Sequence, residues 1–248
     1  LGYTYLGNWQ YAKGSTVNNM GVSNSPILDK EVRSFLKEQG RTEMQIEDVL
    51  VKLKDMARLG DSKMSSLMQC NNELYETLIM GIKSQPSPEK NHEDVMLFDF
   101  DHPQNNHFAI AEEVSFIDPL LGKNKRPDIV VYVNGIALAV IELKRSLVNY
   151  EEGIKQHLSN ERDFIPSFFT TTQFTIASND GVEFRYGTIS TPLSFWCKWK
   201  RDTNKVGDTI TEEEAYRLFF DKENFMFFFH YGVLNDGGVK KVLRPHQI

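Results

Sequence analysis

The chain has 248 residues, with 28 Lys and Arg against 34 Asp and Glu, and 40% of it is hydrophobic, a balance that excludes general disorder and allows a substantial core. Its two cysteines, Cys70 and Cys197, are too few for a disulfide framework or a zinc set, and its apolar run over 136–141 is too short to span a bilayer. The net charge of −6 excludes a nucleic-acid-binding protein that is basic all over, but not a local basic groove.

These features read as a cytoplasmic globular protein, and the opening at Leu1-Gly-Tyr, without an initiator Met, reads as a fragment. Residues 1–26, rich in Gly, Asn and Ser, predict a strand or loop. From 28 to about 83 the apolar spacing is helical, through Val32, Phe35 and Leu36, then Val49, Leu50 and Leu53, then Leu67, Leu74 and Leu78. Asn71 or Asn72 is the expected cap of the last helix. Ser-Gln-Pro-Ser-Pro at 84–88 ends this block.

Strand patterns follow at 95–100 and 108–116. Two apolar runs, 128–133 and 136–143, flank Asn134-Gly135, a strong hairpin signal. Residues 148–160 read as an amphipathic helix. Strands at 174–178 and 183–186 surround Asn179-Asp180-Gly181. A helix over about 211–220 precedes the apolar run 225–229, which reads as a buried helix or strand, and a turn at Asp236-Gly237-Gly238. The order predicts an α/β (α+β) fold, a mixed sheet flanked by helices.

The segment 126–144 carries the chemistry. Asp128, Glu142 and Lys144 lie at the ends of two otherwise apolar strands, where their desolvation must be compensated. Glu142 and Lys144 are two apart and share a face. With a strict two-residue turn Asp128 would oppose Ile141 and point away from Glu142. A three-residue loop with Gly135 left-handed, or a bulge elsewhere, brings both acids to one face. Two carboxylates beside an ammonium make a site for a hard cation such as Mg²⁺, with Lys144 placed to orient water or stabilise a phosphodiester transition state. Lys123, Lys125, Arg126 and Arg145 form a basic rim suited to DNA phosphates. His157 reads as an exposed helix histidine, with an approach to DNA as the alternative. No Gly-x-Ser-x-Gly elbow and no close histidine pair compete with this site.

The Pro-Asp…Glu-x-Lys pattern resembles the PD-(D/E)xK nucleases. The collinear segments Leu1-Gly-Tyr-Thr-Tyr-Leu, Asn72-Glu-Leu-Tyr, Leu97-Phe-Asp-Phe…Asn106, Phe164-Ile-Pro…Phe169, Ala177-Ser-Asn-Asp-Gly…Tyr186-Gly-Thr and Phe195…Trp199-Lys resemble the amino-terminal endonuclease region of the restriction (R) subunit of type I restriction–modification enzymes. The resemblance implies a restriction-endonuclease-like fold. Residues 1–27 would begin the nuclease domain, with a first helix missing, and 28–90 would be a helical insertion. Residues 91–235 would form the core and its C-terminal helices, and 236–248 the connection to an ATP-dependent motor. Asp128 and Glu142 would bind Mg²⁺ with the Leu143 carbonyl as a possible further ligand, and Lys144 would be the catalytic lysine. The family's next motif, Gln-x-x-x-Tyr, matches Gln156, but Asn160 stands in the tyrosine position. Val242-Leu-Arg-Pro-His-Gln-Ile248 resembles the opening of the motor. No Gly-x-x-x-x-Gly-Lys-Ser/Thr occurs in these residues, so ATP would bind only in the motor.

The implied activity is non-specific cleavage of double-stranded DNA away from the recognition site, in a bacterial or archaeal cytoplasm, with methylation and specificity subunits as partners and no membrane. A neighbouring reading is the nuclease of another restriction or repair system. A rival of a different class is a non-catalytic DNA-coupling module, which only Asn160 favours.

Overall fold

The computed structural model describes residues 1–10, 23–60, 66–179, 183–199 and 210–244. Strand β1 (Thr4–Asn8) precedes three helices, α1 (Asp29–Glu38), α2 (Glu43–Met56) and α3 (Leu67–Met80). Thr42 and Gln45 form a reciprocal capping box at the start of α2, satisfying two amides that the helix itself leaves free. The cap of α3 is Ser66, not Asn71 or Asn72, which lie buried inside the helix. Asn71 serves tertiary structure instead, donating to the carbonyls of Phe169, Thr170 and Thr172 at 2.8–3.0 Å.

The helical block ends at Met80, and β2 (Ile82–Ser84) pairs antiparallel with β3 (Glu93–Val95). The strand expected over 95–100 therefore reaches only Val95. Beyond it, the Asn106 side chain does the work of a neighbouring strand, accepting from Asp99 N at 2.9 Å and donating to Asp99 O at 2.7 Å. Strand β4 (Phe108–Glu112) is shorter than expected, because β5 (Phe116–Ile117) leaves it to pair with β6 (Asn124–Lys125).

Strands β7 (Ile129–Val133) and β8 (Ile136–Lys144) form the expected hairpin. Asn134 (φ 49°) and Gly135 (φ 81°) are both left-handed, the conformation of a tight turn that follows the twist of its strands. Then come α4 (Glu151–Ser159), a π-helical turn (Asn160–Phe164), β9 (Phe174–Asn179), β10 (Glu183–Gly187) and β11 (Cys197–Lys198). The chain closes with α5 (Glu212–Phe219), α6 (Lys222–Tyr231), β12 (Val233–Asp236) and β13 (Val239–Val242). Gly237 and Gly238, both at positive φ, make the last turn. Most of the Asn-Asp-Gly turn after β9 (180–182) and most of the motor-like segment (245–248) lie outside the described residues.

Among the described residues, seven strands form one sheet in the order β1-β4-β7-β8-β9-β10-β11. The pairs β1/β4 and β8/β9 are parallel and the others antiparallel. This is the expected α/β, restriction-endonuclease-like mixed sheet flanked by helices. Val131, Val133, Ile136, Leu138 and Phe174 bury one face against α1, α2, α3, α5 and α6. The residues read as a helical insertion thus share one core with the sheet. In α6, Phe225, Phe228 and Phe229 are buried, each contributing about 1.5–3 kcal/mol through removal of apolar surface from water. The opposite face carries Val130, Tyr132 and Val140 against Phe116, Phe168 and Phe169, and α4 adds Ile154 beside Ala177.

Candidate active site

One extra residue in β8 sets the register. Val133 pairs with Ile136 and Tyr132 with Ala137, but Val131 pairs with Ala139 and Ile129 with Ile141. Leu138 is the unpaired residue of a bulge. Its signature is in the packing, since Leu138 and Ala139 are consecutive yet belong to the same core, whereas Ala137 and Val140 belong to the other. A bulge of this kind moves everything beyond it by one position. Continued past Ile129 and Ile141, the register sets Asp128 across from Glu142. The turn is thus the strict two-residue one, and the bulge brings the acids together.

The Glu142 side chain is fully buried and Asp128 half-buried beside it. The two carboxyls are close enough to hydrogen-bond when one is protonated. Leu143 N donates to Asp128 Oδ2 at 2.7 Å, fixing that acid to the edge of β8. Burial, then the Asp128 charge, push the Glu142 carboxyl well above the usual carboxylate range, and Lys144 pulls it the other way. Lys144 reaches Glu142 through Gln156: Lys144 Nζ donates to Gln156 Oε1 at 2.6 Å, and Gln156 Nε2 donates to Glu142 Oε2 at 2.5 Å. The structure thus brings together Asp128, Glu142, Lys144 and Gln156, from two strands and a helix.

Helix α4 lies close enough for this because of two small residues. A Cβ on Gly153 would stand 3.2 Å from the Ala177 Cβ and 3.7 Å from the Glu142 Cβ, and Ala177 is the β9 partner of Glu142. A glycine inside an amphipathic helix is a legible signal of such an approach. Asn160, one turn after Gln156, sets its Nδ2 3.5 Å from Glu142 Oε1. Glu113, which the sequence did not single out, also contributes, its charge helping to raise the Glu142 carboxyl. It sits at φ 52°, and its amide donates to Asp128 O at 2.8 Å.

His157 corrects its expectation. It is wholly buried, bonded from Nε2 to Ile176 O at 2.8 Å and stacked on Trp196. Burial pushes it down to about 4, so it is a neutral core group.

Asp128 and Gln156 line an open cleft of about 730 Å³ together with Ser115, Asn124, Lys125 and Arg126. The basic rim is not uniform. Lys125 Nζ stands 4.0 Å from the Phe164 ring centre, and Lys123 donates to Asp163 O at 2.7 Å. Arg126 is ion-paired with Glu113, while Arg145 is exposed beyond the end of β8.

A hard cation fits this donor set. Burial and the nearness of Asp128 hold the Glu142 carboxyl short of ionisation, the lysine reaches it only through an amide, and a cation held by the two acids would favour both carboxylates. Among the described residues no three acidic, His or Cys side chains converge. Asp128 and Glu142 would therefore be supplemented by a backbone carbonyl, with Leu143 at hand, and by water.

The sequence is similar to that of known proteins over most of its length. Residues 1–195 match the family model of the type I restriction enzyme R protein N terminus. The chain is 29% identical over 214 residues to the type I restriction enzyme HindI endonuclease subunit of Haemophilus influenzae, covering 81% of this chain and 20% of that protein. It is 34% identical over 128 residues, 49% of this chain and 12% of the relative, to the putative type I restriction enzyme MjaIXP endonuclease subunit of Methanocaldococcus jannaschii. The chain thus spans a fifth or less of the length of these relatives. Among the described residues no helix is long and apolar enough to cross a membrane. The match extends over all the site residues, and the chain belongs to the family of type I restriction enzyme R protein N termini.

Proposed function

We propose that this region is the Mg²⁺-dependent endonuclease of a type I restriction subunit, a PD-(D/E)xK nuclease that hydrolyses phosphodiesters of double-stranded DNA. The observation that carries this reading is the bulge at Leu138, which sets Asp128 across from Glu142 while Lys144 and Gln156 close the same cluster. Structural economy would not place two like charges together in a sheet. Asp128 and Glu142 would hold the cation, with the Leu143 carbonyl as a further donor. When bound, it supplies charge neutralisation and lowers the pKa of a ligated water.

The chain's own residues do the rest. Lys144 places positive charge beside the scissile phosphate, and Gln156 fixes its ammonium relative to Glu142. Lys125 in the cleft and the exposed Arg145 beyond the end of β8 offer phosphate contacts without reading bases, which suits cleavage without sequence preference. In the full subunit, target choice belongs to specificity and methylation subunits, and an ATP-driven motor brings distant DNA to this site in the cytoplasm. The rival reading, a DNA-holding module without catalysis, drew on Asn160 alone, and that residue stands against Glu142.

Asp128→Asn and Glu142→Gln in the full-length subunit, assembled with its partners, test the reading. Each should lower Mg²⁺-dependent cleavage of plasmid DNA by at least about 1000-fold, with ATP hydrolysis intact. Cleavage within a few-fold of wild type would place the nuclease elsewhere.

A further inference from the structure

Asn160 is a buried polar residue with no evident structural purpose. It is 1% exposed, its Oδ1 has no hydrogen-bond partner, and its Nδ2 faces Glu142 Oε1 at 3.5 Å. Burying a carboxamide with one end unpaired costs free energy that an apolar residue in the same slot would avoid. A 3.5 Å contact is at the long end for a hydrogen bond, so it adds little stability either. The side chain is therefore unaccounted for by folding.

Its placement is, however, specific. Gln156 and Asn160 are four apart along one helical path, so their carboxamides lie one above the other. Gln156 Nε2 meets Glu142 Oε2 and Asn160 Nδ2 faces Glu142 Oε1, one amide for each oxygen. At Asn160 the helix widens into a π turn, with Ile165 N donating to Asn160 O at 2.8 Å, a distortion that recurs at functional sites. The next residue anchors the turn. Glu161 is buried, and its Oε2 accepts from Ser190 N at 2.6 Å, where Ser190 is itself left-handed at φ 57°.

We propose that Asn160 is a positioning residue that orients the Glu142 carboxylate for a divalent cation, held in place by the Glu161–Ser190 anchor. The inference rests on the metal-dependent reading of this site and deepens it. Partners that orient a metal-binding carboxylate are typically worth about 10–100-fold in metal affinity.

The test is Mn²⁺ binding to the full-length subunit without nucleotide or DNA, followed by electron paramagnetic resonance. The Mn²⁺ equivalents lost in Asp128→Asn define the site. Asn160→Leu, which keeps the volume but removes the donor, should raise the Mn²⁺ dissociation constant of that site about tenfold while Tm is kept or rises. Asn160→Ala, should the leucine variant fail to fold, should give the same shift in affinity with a lower Tm. A dissociation constant within twofold of wild type in a folded variant overturns the inference and leaves the metal reading standing. If Asp128→Asn loses no Mn²⁺ relative to wild type, the metal reading falls, and this inference with it.

Discussion

Glu142 and Lys240 are both buried charged residues that meet a carboxamide, but their surroundings oppose each other. Lys240, on β13, bonds Asn71 and lies 4.6 Å from the Tyr75 ring centre. Its bond ties the last hairpin to α3, and Asn71 in turn holds three carbonyls of the segment before β9. Among the described residues no second charge shifts it, and burial pushes the lysine down to about 7. Glu142 instead faces a second acid, lies within reach of a lysine, and sits behind a cleft lined by Asp128 and Gln156. One network closes a structure; the other gathers ionisable groups beside an open cleft. Burial of a charge is common to both, and only the arrangement around it separates function from architecture.

Substitutions at the two carboxamides should separate accordingly. Asn71→Ala strips donors from three carbonyls and the acceptor from a buried lysine. It should lower stability by about 3 kcal/mol in denaturant unfolding, with cleavage per folded molecule unchanged. Gln156→Ala should do the reverse, reducing cleavage by roughly 10–100-fold while the unfolding midpoint barely moves. Equal losses of stability at both sites would dissolve the distinction.

The smallest effect concerns pH. Burial raises Glu161 from 4.5 to about 8. The folded chain therefore keeps a proton there that the unfolded chain has released, so this group's contribution to stability falls as pH rises from 4.5 to about 8. Lys240, lowered from 10.5 to about 7, acts oppositely, because the unfolded chain holds the extra proton and stability rises between about 7 and 10.5. Glu142, also raised by burial, and His157, pushed down to about 4, titrate in the same range, so the variant isolates Glu161: from pH 5 to 8 the stability of wild type relative to Glu161→Gln should fall. A constant difference would mean that Glu161 is ionised in the fold.

Much of this was legible beforehand, for physical reasons. Acids and a lysine at the ends of apolar strands marked the site, and Asn134-Gly135 marked the hairpin, because both are local signals. The choice between a longer loop and a bulge was not legible, since it depends on which face must accept Leu138 and Ala139 together. His157 misled because its helix is amphipathic from outside, while its partners Ile176 and Trp196 are remote in sequence. The strand expected at 95–100 failed for the same reason, its pairing supplied by Asn106 and Asn134. Lys240 gave no signal at all, as a lysine in a short hairpin reads as solvated until its tertiary neighbours are known.

The proposed nuclease centre is the charge cluster at the end of β8. Lys144→Ala tests it most directly, in the full-length subunit assembled with its partners, with Mg²⁺-dependent DNA cleavage and ATP hydrolysis followed side by side. Cleavage should disappear while ATP hydrolysis persists. Persistence of both would make Lys144 structural and contradict the account.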